Sequence, residues 1–253
     1  MTSVPVASVT RPHGVTPAPA IGSAPGWPLV LYFHHVHPEI DHYTSLTPES
    51  FVRGLDVLLR HFTPADPHLL RAPETRCTTS ESPTMLLTFD DGYRDLLDHA
   101  VRPMQERGIK AVFFVCTSLV GLRSADPRAD YLDWDECAAL RDAGHLVASH
   151  GKTHTPLNRL TTDEAAEEVT GSLGRLRDQL GLDAALYAFP YGIEAPVPQE
   201  VPGLGPLLSF GSVKAPARAW SPAHSVRRTY LPTGTDDTWD ELARGWRAGW
   251  DAS

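Results

Sequence analysis

Short apolar runs punctuate the chain, and each ends in a cluster of polar residues or glycine. Leu29-Val30-Leu31-Tyr32-Phe33 runs into His34-His35, and Met85-Leu86-Leu87-Thr88-Phe89 into Asp90-Asp91-Gly92. His145 to Ser149 leads to His150, and Ala185 to Phe189 leads to Pro190-Tyr191-Gly192. Ala111 to Cys116 is a further run, and Leu207 to Val213 a weaker one. Continuous apolar runs without alternation predict strands covered on both faces, the habit of parallel sheets.

Between the runs the period changes to that of a helix. Leu96, Leu97, Ala100, Val101 and Met104 share one face between Tyr93 and Arg107, with Pro103 as a break or restart and Gly108 as the stop. A second helix is predicted over Asp133 to Ala143, closed by Gly144. Thr161 with Glu164 three residues later forms a capping box, after which Ala165, Val169, Leu173, Leu176 and Leu180 hold one apolar stripe until Gly181. Pro196, Pro198, Pro202 and Pro206 exclude a regular helix after Gly192. Trp239, Trp246 and Trp250 follow helical spacing and predict an amphipathic face docked on the rest of the fold.

Strands alternating with helices imply an α/β fold with parallel strands. If the sheet closes, the residues just after each strand gather at one mouth. Here those residues are His34-His35, Asp90-Asp91, His150 and Tyr191. The expected architecture is a single-domain, distorted (β/α) barrel over residues 29–253. Residues 1–28, rich in proline and poor in large apolar side chains, are expected to form a disordered or loosely attached arm.

Composition changes this picture little. The net charge of −9 argues against general affinity for nucleic acid or anionic lipid. No apolar run reaches the roughly 20 residues of a membrane span. The N-terminal residues lack the apolar stretch of a secretory signal, so the expected address is cytoplasmic. Cys77, Cys116 and Cys137 are odd in number and have no pairing spacing, which suggests reduced, structural thiols.

The chemistry resides in the clusters. His150 and His154 are spaced to approach one ion, with Gly151 favouring a loop, although two surface histidines would show the same spacing. Two adjacent carboxylates at the end of a buried strand are costly unless a cation accompanies them, and Asp91 could instead cap the helix after Gly92. Together the clusters make a site of one carboxylate and two imidazoles with open coordination positions, and a spare carboxylate able to take a proton from water. Such a site suits amide hydrolysis.

Thr88-Phe89-Asp90-Asp91-Gly92, Ser149-His150-Gly151-Lys152-Thr153-His154 and Phe189-Pro190-Tyr191-Gly192 resemble, in order and spacing, three motifs of the polysaccharide deacetylases, the NodB-homology or carbohydrate esterase family 4 enzymes. Phe33-His34-His35-Val36 and Leu132-Asp133-Trp134 resemble segments of the poly-N-acetylglucosamine deacetylase subgroup. The resemblance spans roughly residues 29–232. It implies Asp90 as general base, Asp91, His150 and His154 as ligands of one divalent ion, and the Tyr191 backbone N–H as oxyanion donor. Zinc is the first choice of ion, with cobalt, nickel, manganese or iron as alternatives. Trp134 and Pro190 are the implied substrate contacts, with helix packing as the equal alternative for Trp134.

Two departures from the family pattern stand out. Ala188 occupies the position where many members carry the arginine that orients the base. The Leu-x-His motif of the catalytic acid is replaced by Pro222-Ala223-His224, which leaves His34 as the alternative acid. A solvated loop accounts better than a second metal for His37 and His42. The expected activity is removal of an N-acetyl group from an amino sugar, a glycosylated metabolite or another small amide. A polysaccharide deacetylase and a non-catalytic carbohydrate-binding barrel are the alternatives, and the two retained carboxylates count against the latter.

Overall fold

The structure, a computed structural model, describes residues 28–71, 82–212 and 225–251. Cys77, His224 and all but Pro28 of the arm expected over residues 1–28 lie outside these, as does the side chain of Trp250. The predicted strands form with small changes at their ends: β1 Leu29–Phe33, β3 Thr84–Phe89, β4 Ala111–Val115, β5 Leu146–Ser149, β6 Leu186–Ala188 and β9 Leu208–Phe210. They lie in the order β1-β3-β4-β5-β6-β9, all parallel, with the short β2 (Thr63–Pro64) beside β3. A small antiparallel pair, β7 (Glu200–Val201) and β8 (Gly205–Pro206), occupies the proline-rich stretch where a helix was excluded.

The sheet closes through a segment that is not itself a strand. Val226 bridges Phe210 of β9, and Thr229 bridges Leu31 of β1. Thr229 N–H donates to Val30 O at 2.9 Å and Tyr32 N–H to Thr229 O at 2.8 Å, so both sheet edges bond the same few residues. The result is the expected distorted (β/α) barrel.

Alternation along the strands sorts side chains into two cores. Val30, Leu86, Val112, Phe114, Leu146, Ala148, Leu186, Leu208 and Phe210 fill the barrel interior. Leu29, Leu31, Phe33, Leu87, Phe89, Phe113 and Val147 face outward against the helices. Both faces are buried, which explains the unbroken apolar runs.

Helix α1 (Pro48–Leu59) begins at Thr47, whose hydroxyl accepts from Ser50 N–H, with Pro48 at the first helical position. A π-helical turn, Leu97–Val101, leads into α2 (Arg102–Glu106). The wider turn accommodates Pro103, whose ring an unbroken α-helix would press against the carbonyl of residue 99. Helix α3 (Trp134–Asp142) is capped by an Asp133–Glu136 box. Helix α4 (Thr162–Leu180) has the Thr161–Glu164 box and ends at Gly181, φ 67°. Helix α5 (Asp236–Asp251) buries Trp239 and Trp246 in the outer core shared with α1, and His61 on the α1 side meets Asp240 at 2.8 Å. No helix among the described residues is long and apolar enough to cross a membrane.

One core histidine gives the fold a pH response. His145 Nδ1 accepts the Ala111 N–H at 3.1 Å, which requires the neutral ring. Burial, aided by the nearby Lys110 charge, pushes its pKa down to about 4. A depressed folded-state pKa means that its contribution is complete above about pH 6.5 and is lost as pH falls towards 4. At about 1.4 kcal/mol per unit, the loss is up to roughly 3 kcal/mol. Denaturant titrations across that range should show the decline, and His145→Gln, which keeps an acceptor for Ala111 N–H, should flatten it. An unchanged slope in His145→Gln would assign the decline to other groups.

Candidate active site

The strand ends meet at one mouth, as parallel strands in a closing sheet require. Thr88 and Asp90 continue the inward phase of Leu86, and His150 that of Leu146 and Ala148. Asp91, out of phase, reaches the same cleft because its own backbone bends to φ 71°, with Gly92 at 81° after it. Among the described residues, the non-glycine positions with positive φ are Asp91, His154 and Tyr191. All three lie at this cleft, so the backbone strain of the fold is concentrated where the side chains must converge. A Cβ at Gly92 would sit 2.9 Å from Val115 Cγ1, so both its φ and its surroundings demand glycine.

His150 Nε2 and His154 Nε2 stand 3.3 and 3.1 Å from Asp91 Oδ1. Asp91 Oδ1 is buried and accepts no hydrogen bond. His150 Nδ1 donates to Ala188 O at 2.9 Å, which leaves the Nε2 lone pair facing Asp91. Lone pairs converging on one point, next to an orphaned carboxylate oxygen, suit a divalent cation, and the donor set of Asp91, His150 and His154 fits one ion. Burial opposes ionisation of Asp91, but the adjacent His150, His154 and His34 outweigh it and hold the carboxyl well below the usual range.

Asp90 is bound differently. Both its oxygens accept from one guanidinium, Arg228 Nη1 to Oδ1 at 2.7 Å and Nη2 to Oδ2 at 2.9 Å. Arg228 is itself buried, donates to Gly211 O at 2.9 Å and Thr88 Oγ1 at 3.0 Å, and lies over the Tyr32 and Phe114 rings. Burial raises the Asp90 pKa, and Arg228 more than offsets this, so the carboxyl stays below its ordinary value. The cation absent at Ala188 thus arrives from the closing segment. Sequence reading misses it; the available signal is a demand, a buried carboxylate needing a cation, without an address.

His34 sits at the cleft with Nε2 3.9 Å from Asp91 Oδ2, and its Nδ1 is 2.7 Å from Thr44 Oγ1. Burial pushes its pKa down against the opposing pull of Asp91 and Asp90. The Thr44 hydroxyl, fully buried, also meets His42 Nδ1 at 2.8 Å, so His42 belongs to the support of His34. His35 also borders the cleft but is engaged elsewhere: its Nδ1 is 3.2 Å from Asp95 Oδ1, and its ring stacks on Tyr93.

Tyr191 lies at the rim, its ring 4.6 Å from that of His154. Pro190 is buried behind the Gly151 loop and does not line the cleft. Trp134 is also away from the cleft: it packs against the outer core with the Arg175 guanidinium over its ring at 5.6 Å. The cavity, about 480 Å³, is walled instead by Tyr32, Tyr43, Tyr93, Tyr191 and Arg128.

Residues 77–197 match the family model described as polysaccharide deacetylase. Chitin deacetylase 1 of Cryptococcus neoformans is 28% identical over 106 residues, 42% of this chain and 20% of that protein. The putative polysaccharide deacetylase YxkH of Bacillus subtilis is 25% identical over 108 residues, 43% of this chain and 37% of that protein. The matches therefore span well under half the length of either relative. Among solved structures, IcaB from Ammonifex degensii superposes with a TM-score of 0.67 at 23% identity, covering 89% of this chain and 99% of that one. The Streptococcus pyogenes deacetylase PplD, in complex with acetate, gives 0.70 at 19% identity, covering 87% and 99%. These last two likenesses speak for the fold. Residues 77–197 thus resemble a polysaccharide deacetylase domain, and the motif residues Asp90, Asp91, His150 and His154 within that match gather at the mouth of the fold.

Proposed function

We propose that the protein is a metal-dependent deacetylase that hydrolyses the N-acetyl group of an amino sugar, in a chain of N-acetylglucosamine type or a smaller N-acetylated molecule. The observation that carries this reading is the pairing of two different carboxylates at one mouth. Asp91 turns an unbonded oxygen, Oδ1, to two imidazoles, and its sequence neighbour Asp90 is held ionised by Arg228. A binding barrel has no use for that division of labour. It suits a reaction needing one carboxylate for a metal and one for a proton.

Asp91, His150 and His154 would hold the ion, which supplies a Lewis acid that polarises the amide carbonyl and acidifies water. Asp90, oriented by two guanidinium hydrogen bonds, accepts the proton of the attacking water. The Tyr191 backbone N–H donates to the carbonyl oxygen as negative charge develops there. His34, steered by Thr44, delivers a proton from Nε2 to the departing nitrogen. The tyrosine-lined wall of the cleft offers flat apolar faces for pyranose rings.

The test is incubation of the zinc-loaded protein with N-acetylglucosamine oligomers and, in parallel, small N-acetylated amides, read by mass spectrometry and acetate release. Acetate and free amine are expected from the sugars. Turnover of the small amides alone would move the substrate class. Untouched sugars and amides, with the ion bound, would overturn the deacetylase reading.

A further inference from the structure

The loop between the two histidine ligands is gripped from behind by helix α4. Glu168, more than nine-tenths buried, accepts Lys152 N–H at 2.5 Å and Thr153 N–H at 3.3 Å on Oε2, and the Thr153 hydroxyl donates to its Oε1. One helical turn on, Ser172 Oγ lies 2.6 Å from Ser149 Oγ, which accepts Gly151 N–H at 3.0 Å. Three successive amides, 151 to 153, therefore point at groups on or supported by one face of α4. The carbonyls of the same loop are taken by β4's continuation: Thr117 N–H donates to Gly151 O at 3.1 Å and Ser118 N–H to Lys152 O at 2.9 Å. The loop runs through left-handed backbone at Gly151, φ 87°, and again at His154, φ 62°. A segment of that shape does not hold itself, and consecutive amides turned to one side form a cradle for a negative group.

We infer that Glu168 is a positioning residue that sets metal affinity by fixing the 151–154 loop, so that His154 is already in place opposite His150 when an ion arrives. The inference rests on the metal reading above and goes beyond it: the ligands alone would bind an ion loosely, and Glu168 makes the site preorganised. Its side chain bonds Lys152 and Thr153 rather than Asp91 or the imidazoles, and contributes through the backbone between the two ligands. Groups that orient metal ligands from behind typically change metal affinity about 10–100-fold when removed.

The measurement is titration of the metal-free full-length protein with Co²⁺, read by visible d–d absorption, alongside the melting temperature of each metal-free variant. Glu168→Ala should raise the Co²⁺ Kd about 10–100-fold. Glu168→Gln, which keeps an acceptor for Lys152 N–H, should fall between it and wild type, and Thr153→Val, which removes one donor without touching α4, should raise Kd several-fold. Glu167→Gln serves as control: that exposed carboxylate pairs with Lys152 Nζ at 2.8 Å and its loss should leave Kd unchanged. If Glu168→Ala does not fold, Glu168→Gln and Thr153→Val decide. Folded variants that lose melting temperature yet bind Co²⁺ as wild type does would overturn the inference and leave Glu168 a structural residue. Wild-type protein without Co²⁺ binding would instead sink the metal reading, and this inference with it.

Discussion

His150→Ala should yield a protein without a stoichiometric divalent ion and without deacetylation. His150 is buried at the bottom of the cleft, and the hydrogen bond from Nδ1 to Ala188 O pins its ring with Nε2 turned toward Asp91. The substitution also leaves Ala188 O without that donor, a cost of about 1–3 kcal/mol that should appear as a lower melting temperature. Metal content by elemental analysis after dialysis, measured with acetate release, separates the two effects. A folded His150→Ala protein retaining one ion per chain would remove His150 from the ligand set.

Asp90→Asn should leave the ion in place and lower kcat by about 10²–10⁴-fold, the usual contribution of a positioned general base. It should also weaken the fold by about 3–5 kcal/mol, because the Arg228 guanidinium, 1% exposed, would lose its only carboxylate among the described residues. Loss of turnover could then be mistaken for loss of structure. The double variant Asp90→Asn, Arg228→Met resolves this: replacing a buried ion pair by neutral groups of similar volume is often near neutral, so stability should return while turnover should not. Denaturant midpoints, metal content and kcat on the single and double variants make the comparison. Recovery of turnover in the double variant would show that Asp90 serves stability alone.

His150 and Asp90 also mark how far the chain can be read without coordinates. The strands were legible because each is buried on both faces and therefore writes an unbroken apolar run. The mouth was legible because four of the runs end in polar candidates, His34-His35, Asp90-Asp91, His150 and Tyr191. Helix α1 carries an equally clear signal in Thr47, Pro48, Phe51, Leu55 and Leu58, which a reading fixed on strand ends passes over. Trp134 illustrates the opposite difficulty: an aromatic at a helix start looks the same whether it packs or lines a cleft, and only the placement of Arg175 and α4 decides. Arg228 was out of reach for a different reason. Its partner is 138 residues away, and its inward phase depends on the register of bridges at Val226 and Thr229, which no local pattern encodes. The Glu168 grip is likewise a matter of helix placement over a loop.

The position of Arg228 on the segment that joins β9 to β1 has a consequence for biogenesis. A chain synthesised from its N-terminus carries every candidate metal ligand once residue 154 has been added, while Asp90 still lacks its cation. Asp90 acquires its orienting partner only when residues 226–229 settle between the first and last strands of the sheet. On the proposed mechanism, an unfinished chain would carry the candidate ligands without the cation that orients Asp90, and the two would come together only with the final closure of the sheet.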